Sequence, residues 1–72
     1  MMTIGKAIHL IRIYRGLNQT DMAKQLGIDQ TYLSAIERGV RHLSGPRLDN
    51  VAISLGVPTK VLTAKTITLG DR

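Results

Sequence analysis

Side chains able to do covalent or acid–base chemistry are few and scattered in this sequence. It has no cysteine, and its two histidines, His9 and His42, stand apart with no carboxylate cluster near either. A thiolate nucleophile, a disulfide framework and a thiolate metal site are thereby removed, and a zinc site lacks ligands. No carboxylate pair or phosphate-cradling glycine loop is visible, so the expectation is a protein that is not an enzyme and needs no metal or cofactor. Hydrogen bonding and charge remain. Gln19, Gln30, Thr31 and Ser34 offer short polar groups, while Arg38, Arg41 and Arg47 supply cations. The aromatics are two tyrosines, Tyr14 and Tyr32, too few for a platform that stacks single-stranded bases.

The elements that must position these groups fit one small domain. The chain has 72 residues, 43% of them hydrophobic, which is enough for a core and too apolar for a disordered polymer. Its formal charge is +5, and residues 1–47 hold seven Lys/Arg against three Asp/Glu. A polyanion would therefore meet the first two thirds. No apolar run approaches the ~20 residues of a membrane helix, and His9 and Arg12 interrupt the N-terminal apolar stretch as no signal peptide would. A cytoplasmic location is expected.

Five helical segments can be read. Ile4, Ala7, Ile8 and Ile11 share a face of the first, which Gly16 ends. Asn18 caps the second, built on Met22, Ala23 and Leu26. Asp29 caps the third, with Leu33, Ile36 and Glu37 on one face. Only Gly27-Ile28-Asp29 separates second from third, so the two helices must cross steeply. Ser44-Gly45-Pro46 opens the fourth, with Leu48, Val51, Ala52 and Leu55 inward. Pro58-Thr59 starts a short fifth, with Thr59 as its cap. The domain is expected over residues 1–63, with 64–72 a frayed tail or short strand.

The run LNQTDMAKQLGIDQTYLSAIERG, Leu17 to Gly39, carries the most information. Gln19 opens the second helix, Ala23 sits in its middle, Gly27 marks the turn, and Glu37-Arg38-Gly39 closes the third. In this spacing the chain resembles the helix-turn-helix of the phage repressor and Cro family, also called the xenobiotic-response-element family. The likeness extends from about Ile4 to Leu62. It implies an all-α, five-helix, lambda-repressor-like domain that binds double-stranded DNA through the second and third helices. The stretch QTYLSAIERGVRHLS looks most like restriction–modification controller proteins and small phage repressors.

With Leu33 and Ile36 inward, Gln30, Thr31, Ser34, Ala35 and Arg38 point outward, short or polar enough to enter a major groove ~12 Å wide. The resemblance implies base contacts from Gln30, Thr31 and Ser34, with Tyr32 at the rim. Glutamine suits adenine, which it can meet with one donor and one acceptor. By the same resemblance Gln19 clamps the backbone, and Arg41 and His42 run along it. Arg38 joins them on charge, and Arg47 is a weaker candidate. An ordinary exposed loop is the plain alternative for Arg41 and His42. The family also pairs a first-helix arginine with a third-helix glutamate, which maps onto Arg12 and Glu37 as a structural tie.

The chain departs from the family at Leu43-Ser44-Gly45, where Pro-Ser-Leu is common, and at Asp49, where an apolar residue is usual. A looser start to the fourth helix is expected, with Leu43 filling the missing volume. A homodimer on a near-palindromic site is implied, its contact expected at Val57, Pro58, Val61 and Leu62. Leu10 and Ile13, pointing outward from the first helix, are the rival surface. Together with the Thr66–Leu69 segment they also motivate the competing reading, an antitoxin that binds DNA and a toxin protein.

Overall fold

The computed structural model describes residues 3–63. They form five helices: α1 (Ile4–Tyr14), α2 (Gln19–Leu26), α3 (Gln30–Glu37), α4 (Gly45–Leu55) and α5 (Thr59–Thr63). The tail expected at 64–72 lies outside the described residues. Among the described residues there is no strand.

Local chemistry sets the helix ends. Asn18 is extended, and its side chain accepts from the Asp21 backbone N–H at 2.8 Å, satisfying one of the orphan amides of α2. Thr3 does the same for α1, accepting from the Lys6 N–H at 3.0 Å. Asp29 and Ser44 occupy N-cap positions of α3 and α4, but neither side chain makes a capping bond. The expectation that Asp29 caps through its carboxylate is corrected accordingly. Thr59 is likewise no cap: it is the first residue of α5, and its hydroxyl donates to Asp49 Oδ1 at 3.2 Å. That bond gives Asp49, unusual for the family, a partner linking α4 to α5. Gly27 takes φ +72° between α2 and α3, a conformation L side chains rarely adopt.

The core joins all five helices. Ile8, Met22, Leu33, Ile36 and Leu62 are its largest fully buried side chains, each worth ~1.5–3 kcal/mol relative to exposure. Leu43, in the loop before α4, is buried with them, where the sequence departs from the family. Ile28, between α2 and α3, is half-buried against the same cluster.

Gly5 fixes how close α1 and α3 come. A Cβ there would lie 1.9 Å from the Ile36 carbonyl oxygen, so backbone meets backbone. Only glycine permits that approach, and it seats α3 directly on α1. The side chain of Arg15 adds a second tie, donating from Nη2 to the Leu55 carbonyl at 2.6 Å and joining α1 to the end of α4.

Candidate nucleic-acid interface

Gln19, half-buried at the start of α2, and Gln30, exposed at the start of α3, lie side by side because the turn between the helices is short. Gln30 Nε2 donates to Gln19 Oε1 at 2.6 Å, joining the two helix starts. Gln19 Nε2 donates in turn to Glu37 Oε1 at 3.2 Å. Arg12 holds Glu37 from α1 in two places, Nε to Oε2 at 2.8 Å and Nη2 to Oε1 at 3.0 Å. The same guanidinium donates from Nη1 to the Leu17 carbonyl at 3.0 Å, bracing the α1–α2 loop. His9 Nδ1 also meets Glu37 Oε1, at 2.8 Å. One carboxylate thus gathers α1, α2 and α3 beneath the glutamine pair.

Glu37 is 5% exposed by side chain and Arg12 11%. Burial works to raise the Glu37 carboxyl's pKa. Hydrogen bonds from Arg12, His9 and Gln19, together with the Arg12 charge, outweigh it and hold the group below the usual carboxylate range. The carboxylate is therefore ionised and accepts from every neighbour.

A helix-turn-helix family model matches residues 8–62. A hypothetical transcription factor of Neisseria meningitidis is 36% identical over 69% of this chain and 47% of its own length. The ImmF control region 10 kDa protein of Bacillus phage phi105 is 41% identical over 82% of this chain and 66% of its own. The chain thus spans about half the length of the first relative and just under two thirds of the second. In structure, the restriction-modification controller protein C.AhdI of Aeromonas hydrophila matches with a TM-score of 0.74 at 29% identity, covering 82% of this chain and 89% of that one. The chain belongs to the helix-turn-helix family. That family is one of DNA-binding regulators and not of enzymes.

In this helix-turn-helix, α2 and α3 are the two helices of the motif. Thr31 is exposed beside Gln30, and Ser34 is half-buried one turn on. Arg38 is exposed, its Nε within 3.4 Å of Ser34 Oγ. Tyr32 is half-buried, and the Arg41 and Arg47 guanidiniums each stand 5.5 Å from its ring centre, within cation–π reach. Arg47 Nη1 also donates to the Tyr32 hydroxyl at 3.0 Å. The three residues border an open groove of about 920 Å³ between α3 and α4, which Lys24 and Asp29 also line. His42 is exposed in the loop beyond.

Away from this edge, Leu62 is 1% exposed and its side chain packs in the core. Val57 is half-buried, while Pro58 and Val61 remain exposed. Ile53 on α4, which the sequence did not single out, is 76% exposed. Leu10 and Ile13 are exposed on α1, together with Tyr14.

Sequence reasoning also passed over His9. Its spacing from Arg12 puts both on one helix face, which was the available signal. Among the described residues no three His, Asp or Glu side chains gather to hold a metal, and no helix is long and apolar enough to cross a membrane.

Proposed function

We propose that this helix-turn-helix protein binds double-stranded DNA sequence-specifically, as a homodimer on a near-palindromic site, and regulates transcription. The observation that carries the reading is the Gln19–Gln30 bond, which holds two polar side chains ready at the adjoining starts of α2 and α3. The likeness to a phage control-region protein and to a restriction-modification controller supports the same role.

In this reading Gln30, Thr31, Ser34 and Tyr32 face base edges. Gln19, Arg38, Arg41 and His42 meet the sugar–phosphate backbone, joined by Arg47 beside Tyr32. Backbone contacts fix register, and base contacts carry sequence information. One reading helix covers few base pairs, whereas two spaced ~34 Å apart, one DNA turn, read two half-sites. The exposed apolar residues Ile53, Pro58 and Val61 offer the surface for that pairing.

Selection from random duplexes tests the proposal. The wild type should enrich a near-palindrome, and Gln30→Ala should lose preference at one symmetric pair of positions. No enrichment above random sequence at low salt would overturn sequence-specific binding.

A further inference from the structure

His9 has a ring nitrogen to spare. Its Nδ1 meets Glu37 Oε1 at 2.8 Å, and an ionised carboxylate can only accept, so that nitrogen carries a hydrogen aimed at Glu37. Arg12 Nη2, 3.3 Å from the same nitrogen, is also a donor and is therefore a neighbour of Nδ1 and not its partner. Nε2 points to the other side of the ring, in a side chain that is 36% exposed. With the hydrogen on Nδ1, the neutral ring leaves Nε2 a bare acceptor. Protonation turns Nε2 into a charged donor.

The place of the ring gives that change a consequence. Gln19 Nε2 donates to the same Glu37 Oε1 at 3.2 Å, so the imidazole and the Gln19 amide are adjacent. We propose that His9 is a phosphate-binding residue of the DNA interface that acts only when protonated, so that binding duplex DNA takes up a proton there. A phosphate beside Gln19 repels the lone pair of a bare Nε2 and attracts an N–H that carries positive charge. The charged groups around the ring are Lys6 and Arg12 on α1 and Glu37 on α3, while Gln19 from α2 is uncharged. Both cations keep their charge between pH 5.5 and 7.5. Glu37, held below the usual carboxylate range, stays ionised there as well. Within this group only the imidazole changes state over that interval. The inference rests on Gln19 standing at the sugar–phosphate backbone.

His42 is the second imidazole of the chain, so the test uses the full chain carrying His42→Gln, on a duplex selected by the wild type. At fixed low salt, affinity should rise about fivefold from pH 7.5 to 5.5, the worth of one charge close to a phosphate in water. The slope of log affinity against log salt should steepen over the same interval, by up to about 1. Adding His9→Gln, which still offers Glu37 a donor but cannot become charged, should flatten the pH profile. Adding His9→Lys instead, charged throughout, should flatten it at the higher affinity. By NMR, the His9 ring should titrate at a higher pH with duplex bound than without. A pH-independent affinity in the His42→Gln protein, a rise that persists in His9→Gln, or a ring that titrates alike free and bound would each overturn the inference while leaving sequence-specific binding intact. If the wild type selects no duplex at any pH, the DNA-binding reading itself fails, and the inference falls with it.

Discussion

The glutamine edge and the α4–α5 face are both exposed, yet they are built in opposite ways. At the edge, Gln19 and Gln30 are bonded to each other and anchored on Glu37, so their side chains are held before any ligand arrives. On the α4–α5 face, Ile53 and Val61 present hydrocarbon to water at 76% and 46% exposure. A preorganised polar site suits a ligand recognised by hydrogen-bond geometry, since little ordering entropy remains to be lost on binding. Bare apolar side chains suit a partner recognised by area and shape. The two surfaces therefore predict two kinds of sensitivity: the edge to single atoms, the face to buried charge.

Breaking the anchor under the edge should have the largest effect. Arg12→Ala leaves the nearly buried Glu37 carboxylate without its cation, at ~3 kcal/mol, against a total of ~5–15 kcal/mol for a whole domain. A thermal melt should fall by ~10 °C or more, since each kcal/mol is worth roughly 4–8 °C in so small a domain. An unchanged melt with DNA binding lost would move Arg12 from anchor to contact.

The face comes next. Val61→Glu places a charge that a partner would have to desolvate, so it should give a folded monomer. Sedimentation with circular dichroism reads both properties. Should Val61→Glu stay dimeric while Ile13→Glu dissociates, pairing runs through α1 and the comparison must be redrawn around that helix.

A smaller change is expected at the loop. Arg41→Ala removes one exposed cation near Tyr32, so affinity should weaken evenly across sequences. The slope of log affinity against log salt should become shallower by about 1. A change in the preferred sequence instead would place Arg41 among the base readers.

The mildest prediction concerns acid. Glu37 has a lowered pKa in the folded protein, so the unfolded chain holds that proton more tightly. The stability it contributes is complete above the unfolded value, about 4.3, and is lost as pH falls through the depressed folded value. His9→Ala removes one donor from the carboxylate, so the folded value should rise toward the unfolded one, and the acid loss should be smaller and complete at a higher pH. Melts between pH 3 and 7 check this, and identical acid profiles would show that His9 contributes nothing to the anchor.

Much of the fold was legible because it is written in local signals. Asn18 reads as a cap and behaves as one, Gly27 marks the turn, and the apolar spacing of α4 places Leu48, Val51, Ala52 and Leu55 inward. Asp29 shows the limit of that reading. Its type and place suit a cap, but the side chain makes no such bond, which composition cannot reveal. The candidate edge was named residue by residue, yet its wiring was not. The Gln30–Gln19–Glu37–His9 sequence of contacts spans three helices, and only the packing of α1 on α3 brings His9 within reach. Arg47 stood apart from Tyr32 by 15 positions and became its neighbour only through the return of α4.

The backbone contact at Gly5 also sets a mechanical tolerance. Most helix pairs are spaced by side chains, which act as compliant cushions that can change rotamer when one helix shifts. Here α1 and α3 touch without a cushion, Gly5 against the Ile36 carbonyl. The contact works as a hard stop: α3 cannot settle closer to α1, and an added methyl would act as a shim under it. A shim at that point would tilt the whole outward face of α3, displacing Gln30 and Thr31 without altering either side chain. The presentation of Gln30 and Thr31 is thus set partly by an atom that is missing, one layer beneath them.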